Sequence, residues 1–424
     1  MSGRGIGVAG ALFAAIDAAP KAWEEGGLWR RKPAVRLYRW RRSLLAAGGL
    51  ALAAVGILAI PLLVLATGLI AYPGGFLVQM VDVDAGHRIV AGYTSFVDRA
   101  FEPLALPTLI PRLVTLMLAL AVIVLAVSAS WPPEQRRRLP GHRTRGFWWT
   151  RLVGPPWSAA PALNHYRAAL WQLFKGPANA KAPEAADLSR RYLELLAENL
   201  GQPGFREVIV TTLDLETRTD LIFAVIGEER RQAFFHRDEP WRERQERPGD
   251  LIDLAGVGRN HVLDALAGSL SLPVLTEPHL IAFSPESYWK GETHRTCDRP
   301  SAVGRLLHEL ALAGVAQVIV VSASAERSAA HKLNRPIDTL QARMTEYLSA
   351  AEASAVRDAL AMHAGRFQGV FLIQPEHNPV GPFDFEGAYD ERSDRFQSLE
   401  ELLNRGYEDA YRRFIEPVVG AADN

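Results

Sequence analysis

The sequence predicts a layered α/β fold with a mainly parallel sheet, interrupted by a two-helix transmembrane hairpin. Three observations carry that expectation. From about residue 158 to the C-terminus, β-branched runs of strand type alternate with stretches of helical periodicity. Two long apolar stretches, one of them free of any charge, stand in the first third of the chain. Arginine clusters flank that pair on its outer sides.

The elements follow in order. Residues 1–25 open with Gly3-Arg4-Gly5-Ile6-Gly7, the spacing of the G-x-S-x-G turn with glycine at the serine position, and continue into an apolar run of helix type. Residues 26–43 form a basic juxtamembrane segment. Residues 44–72 are uncharged and long enough to cross a bilayer, which takes roughly 20 apolar residues; Pro61 inside them is tolerated in a membrane helix. Residues 73–109 connect this span to a second one over 110–131. A basic, proline-marked linker covers 132–157. In the domain at 158–424, helices are expected at 163–174, 187–200, 251–266, 302–313 and 336–363. Strands are expected at 207–212, 221–226, 280–283, 317–322 and 369–373.

Charge sets the expected topology. Arg30, Arg31, Lys32, Arg36, Arg39, Arg41 and Arg42 precede the first span, and Arg136, Arg137, Arg138, Arg143, Arg145 and Arg151 follow the second. The connection between the spans carries Asp82, Asp84, Asp98 and Glu102 against Arg88 and Arg99. Both termini and the α/β domain are therefore expected on the cytoplasmic side of the membrane. The 47 basic and 47 acidic residues cancel, which removes any overall-charge argument for a nucleic-acid partner. Cys297 is the only cysteine, so no intramolecular disulfide and no cysteine-based zinc site can form. No cofactor or metal is expected. The polar cluster of His377, Asp384, Asp390 and Asp394 reads as turn and capping chemistry, His261 as a surface or satisfied core residue, and Tyr407, Tyr411 and Phe414 as a packing face.

Four segments carry a family resemblance. Residues 208–217 (VIVTTLDLET), 263–273 (LDALAGSLSLP), 313–321 (AGVAQVIVV) and the tail at 374–385, 406–411 and 414–420 occur in the order found in patatin-like phospholipases. The tail resembles a membrane-containing bacterial branch of that family. The resemblance covers most of 200–420 and, more thinly, 1–18. It implies a patatin-like layout, lipid acyl-ester hydrolysis by a Ser–Asp dyad, and membrane lipids as partners. In such a dyad the aspartate activates the serine, and backbone N–H groups stabilise the charge developing on the carbonyl oxygen.

Carried over residue by residue, the family pattern is incomplete. The elbow serine falls on Gly5, between elbow glycines Gly3 and Gly7. The aspartate of the D-G-G/A motif falls on Lys290, and Asp298 is the nearest carboxylate that could substitute. The strand and glycine-rich oxyanion loop that the family places before the elbow have no counterpart ahead of Gly3. The expectation is a degenerate or N-terminally truncated member: a lipid-binding or scaffold pseudoenzyme with no intact catalytic residues. The alternative is an active, phospholipase A-like hydrolase completed by missing N-terminal sequence, by self-association or by a complementing chain.

Overall fold

The computed structural model describes residues 1–3, 5, 7–22, 24, 37–130, 154–175, 181–200, 202, 206–235, 248–323, 340–375 and 399–420. The chain divides into two compact units, Met1–Arg39 with Trp157–Asn424, and Trp40–Pro156.

The first unit is built on a six-stranded sheet. Its strands are β1 (Ser2–Gly3), β2 (Val208–Asp214), β3 (Asp220–Val225), β4 (Leu251–Asp253), β5 (His279–Ala282) and β6 (Thr293–Cys297). The order is β4-β3-β2-β6-β5, with β1 also paired to β2. The sheet is mixed rather than mainly parallel: β2–β3, β2–β6 and β5–β6 run antiparallel, while β1–β2 and β3–β4 run parallel. The reason lies in the connections. Five residues join β2 to β3 and ten join β5 to β6, and a parallel crossover needs a dozen or more. The parallel pair β7 (Gln317–Val321) and β8 (Gly369–Ile373) forms a separate two-stranded sheet.

Helices cover both faces of the larger sheet. Strands β2 and β3 are buried almost throughout, which is why they read as unbroken apolar runs rather than as alternating ones. Val208, Val210, Leu221, Phe223 and Val225 pack with α1 (Gly7–Ala15), α6 (Ala160–Phe174), α7 (Ala185–Glu198) and α9 (Val262–Leu270). Ile209, Ile222 and Ala224 face the other way, toward Phe234 of α8 (Glu228–Phe235) and Leu306 of α10 (Val303–Leu312). Hydrogen bonds stitch the first layer. The Tyr192 hydroxyl donates to Leu12 O at 2.8 Å, and the Leu263 N–H donates to Ser189 Oγ at 3.1 Å.

Two readings of the sequence change here. Residues 251–266, expected as one helix, divide into β4, a turn and α9, which starts only at Val262. Strand β6 has no counterpart among the expected strands, because THRTC carries no apolar run. Toward the C-terminus lie α11 (Leu340–His363), α12 (Leu399–Ala410) and α13 (Glu416–Gly420). There Phe414 packs edge-on against Phe371 with ring centroids 5.0 Å apart, whereas Tyr407 and Tyr411 are exposed.

The second unit is helical: α2 (Arg42–Ala66), α3 (Gly68–Gln79), α4 (Val83–Ala100) and α5 (Leu106–Ser130). Two runs are long and apolar enough to cross a membrane, Arg42–Gln79 and Leu106–Ala129. Only 6% and 11% of their most apolar windows are buried among the described residues. Helix α2 packs on α5, and α3 on α4.

Candidate functional site: the glycine elbow and Asp298

Register brings the candidate site together. Parallel pairing sets Ser2 opposite Ile209 and Gly3 opposite Val210. Antiparallel pairing sets Cys297 opposite Leu213 and Thr296 opposite Asp214. Both neighbours lie on the same edge of β2, one at each end. The chain leaving β1 past Gly3 and the chain leaving β6 past Cys297 therefore converge beside Thr211 and Thr212. Gly5 lies on the first of these paths and Asp298 on the second.

The turn at Gly5 has elbow geometry. A strand, a single tight turn and helix α1 follow one another, and the Val8 N–H donates to Gly5 O at 3.2 Å. Gly5 has φ = +54°, the left-handed region in which a residue with a side chain is strained. Gly3 must also be glycine: a Cβ there would stand 2.9 Å from Gly7 O, where the strand and helix close on each other. A Cβ built on Gly5 would meet Asp298 first, at 3.5 Å from Oδ2, 3.8 Å from Cγ and 3.9 Å from Oδ1. A hydroxyl one bond further out would come within hydrogen-bond reach of that carboxylate.

The surroundings of Asp298 are buried and partly polar. Its backbone N–H donates to Ser271 O at 2.8 Å, while the Tyr38 hydroxyl donates to Leu270 O at 2.8 Å. Successive carbonyls at the end of α9 thus hold both residues. Burial, and then the Asp298 carboxylate, push the Tyr38 phenol well above its ordinary range. The same two causes raise the Cys297 thiol to about 11, leaving it protonated and inert at neutral pH. Thr211 and Thr212 carry buried hydroxyls with no hydrogen-bond partner among the described residues.

Behind this site the chain is clamped by ion pairs. Arg299 bonds Asp220 at the start of β3. Arg305 bridges Asp250 at 2.9 Å and Glu309 at 2.7 Å. Glu309 is fully buried and Asp250 nearly so, and buried carboxylates of this kind are tolerated only when paired.

Lys290, matched by sequence to the aspartate position, sits elsewhere. It occupies the exposed turn between β5 and β6 with φ = +45°, its N–H donating to Ser287 O at 3.1 Å. The carboxylate facing Gly5 is that of Asp298. Motif spacing leads to Lys290, whereas the ladder register on β2 leads to Asp298. His377, Asp384, Asp390 and Asp394 lie outside the described residues.

Two further clusters are not singled out by the sequence as groups; of their members only His261 is read there, as a surface or satisfied core residue, and it is buried and bonded to Asp264. His294 Nδ1 lies 2.6 Å from Asp214 Oδ2, and its Nε2 lies 3.3 Å from Glu292 Oε2. Burial alone would lower the imidazole pKa; the hydrogen bonds and charges of Asp214 and Glu292 outweigh it and raise it. Asp214, which also accepts from the Glu216 N–H and the Thr217 hydroxyl, is held below its ordinary value. Asp264 receives His261 Nδ1 and His279 Nε2, each at 2.8 Å. Burial opposes its ionisation, yet the two histidines hold it at about 2. The aspartate and histidines of each cluster are far apart in sequence, except for His261 and Asp264 at i, i+3. Among the described residues, no group of three or more His, Cys, Asp or Glu side chains could hold a metal ion.

What fold and site define together is a mixed α/β protein with two apolar helices and a strand–turn–helix elbow that presents a glycine to a buried carboxylate. No family model, no curated protein and no solved structure matches the chain.

Proposed function

We propose that this chain is a membrane-anchored relative of the patatin-like acyl hydrolases in which the Ser–Asp dyad has lost its nucleophile, leaving a lipid-binding or scaffold protein. The observation that carries this reading is the pairing of Gly5, at φ = +54° on a strand–turn–helix elbow, with Asp298 at 3.5 Å from the absent Cβ. A base without a hydroxyl to deprotonate forms no acyl-enzyme. The hairpin is read as spanning a bacterial inner membrane with both chain ends on the cytoplasmic side, supported by the outer arginine clusters and the two exposed apolar helices. Membrane lipids are the proposed ligands.

The retained carboxylate favours a second reading, an active acyl-ester hydrolase whose nucleophile comes from another segment or chain. One experiment separates the two. The full chain in detergent is treated with a fluorophosphonate serine probe and assayed on short-chain p-nitrophenyl esters. The wild type should neither label nor turn over. Gly5→Ser should label, and adding Asp298→Asn should abolish the labelling. Covalent labelling of any wild-type serine overturns the pseudoenzyme reading. A folded Gly5→Ser variant that fails to label overturns the elbow-and-aspartate reading. The strained φ at this position costs the variant about 1–3 kcal/mol, so its thermal transition is checked alongside.

A further inference from the structure

The second unit contains more apolar helix than a membrane crossing uses. The run Arg42–Gln79 has 38 residues. At 1.5 Å per residue it is about 57 Å long, against a hydrocarbon core of about 30 Å. Tilting it by about 40°, the upper end of the observed range, still leaves a rise of about 44 Å. Its partner α5 has 25 residues, the same number as α2 alone. The pair that matches a bilayer is therefore α2 with α5, and α3 is the excess.

Helix α3 nevertheless has no charged residue, and its outer surface is apolar. Leu69, Ile70, Phe76 and Leu77 are all more than half exposed. Its remaining face is closed by α4 through glycine contacts. A Cβ on Gly75 would stand 2.6 Å from Val90 Cγ2, and one on Gly86 would stand 2.6 Å from Gly75 O. The Tyr93 hydroxyl donates to Leu65 O at 3.1 Å and fixes α4 to the junction. The ionic residues of this hairpin are on α4 and at Asp82, which caps its first turn. Asp84, His87, Arg88, Asp98 and Arg99 are exposed there, opposite the face formed by Gly86, Val90, Tyr93 and Val97. The two helices thus form two layers, α3 without charge and α4 carrying the charges, with Val83, Ile89 and Phe96 exposed on the flanks of its charged face.

The junction between α2 and α3 has the means to bend. Thr67 separates the helices and its hydroxyl donates back to Val64 O at 2.6 Å, a bond that bends helices. Pro61 and Pro73 remove a ladder bond on either side of it.

We infer that the α3–α4 hairpin is an interfacial membrane element: α3 is seated among lipid acyl chains at the far surface of the bilayer, and α4 covers it with its charged face toward water. The occupant of the exposed α3 face is lipid, because that face continues the apolar surface of α2 without a charged break and the ionic residues are segregated to the opposite layer. The inference rests on the reading of α2 and α5 as spans.

The test uses the full chain with Cys297→Ser, reconstituted into phosphatidylcholine–phosphatidylglycerol bilayers. Single cysteines replace Leu62 in α2, Phe76 in α3 and Arg88 in α4, and each is labelled with an environment-sensitive fluorophore. Leu62→Cys reports on the span itself and should show blue-shifted emission quenched by lipid-borne spin labels near the bilayer centre. Phe76→Cys should be blue-shifted and quenched by spin labels near the headgroups. Arg88→Cys should emit as in water and be quenched by iodide. A water-like Phe76→Cys beside a lipid-quenched Leu62→Cys overturns the inference while leaving the span intact. A Phe76→Cys shielded from both quenchers and cross-linking between copies shows that the face is a contact between chains, which also overturns it. A water-like Leu62→Cys removes the membrane reading altogether.

Discussion

Helices α9 and α2 are both apolar, and the structure treats them in opposite ways. Eight of the nine residues of α9 are buried, whereas only Ala47 and Ala54 are buried among the 25 of α2. In α9 some polar groups go to other segments and some stay local: Asp264 holds His279 as well as the neighbouring His261, the Ser189 hydroxyl caps the Leu263 N–H, and the Ser269 hydroxyl donates to Ala265 O one turn back. In the helical unit the Thr67, Thr94 and Ser128 hydroxyls turn back on their own helices, to Val64 O, Ala91 O and Leu125 O, while the Tyr93 hydroxyl reaches Leu65 O of another helix. Back-bonding to the preceding turn occurs in both, and α9 differs in that its Asp264 carboxylate also holds His279 from strand β5. Similar composition therefore stands in two surroundings, and burial tells them apart.

The sharpest way to break this contrast is to remove a matched partner from the packed domain. His294→Ala leaves the fully buried Asp214 without its imidazole. Breaking a buried pair by deleting one member costs about 3–5 kcal/mol. The expected outcome is a large fall in the denaturation midpoint of the α/β domain, followed by near-UV circular dichroism. A loss below about 1 kcal/mol would mean that the carboxylate finds water or another partner.

A smaller and more direct comparison sets one leucine in each unit against the other. Leu266, nearly fully buried in α9, should cost about 2–5 kcal/mol on truncation to alanine. Leu62 in α2, 69% exposed, should change stability by no more than about 0.5 kcal/mol on the same substitution. Equal costs, measured by chemical denaturation in one detergent, would show that the exposed face of α2 is covered by protein in solution.

The sequence makes some parts of this fold legible and hides others for physical reasons. Strands β2 and β3 stand out because burial selects apolar runs there, whereas the β-branched run of β7, which reads as a buried strand, has only Val318 buried among the described residues. Strand β6 is hidden because its inward residues are His294 and Thr296, made acceptable by Asp214 and by a glycine at position 268. A Cβ on Gly268 would stand 2.7 Å from Thr296 Oγ1, so this pairing shows only in three dimensions. The split of 251–266 is hidden because leucines at 251, 254, 263 and 266 fit helical spacing, although Gly256 and Gly258 lie between them. At the candidate site, glycine spacing alone leads to Gly5. Its partner comes from strand register, which no linear spacing encodes, and Lys290 is where the linear match leads instead.

The least drastic perturbation is pH, and its sign follows from His294 and Asp214. His294 has a raised pKa in the folded state. Its contribution is complete below the unfolded value of about 6.5 and is lost as pH rises through the folded value. Asp214 is lowered, so its contribution is complete above about 3.9 and is lost as pH falls through the folded value. Both are complete between about pH 4 and 6.5. Asp264, at about 2, loses its share only on the acid side. His363 is lowered by burial, with Arg366 and His308 adding to the effect, so its contribution grows as pH rises toward the unfolded histidine value of about 6.5 and is constant above it, where that of His294 is being lost. The alkaline limb is thus isolated by difference: thermal midpoints of the wild type and His294→Gln are compared from pH 5 to 9. The gap should be widest near pH 5 to 6 and narrow steadily above about 6.5. A gap constant across that range would mean that His294 holds Asp214 as a neutral hydrogen-bond donor, and the charged description of this cluster would be wrong.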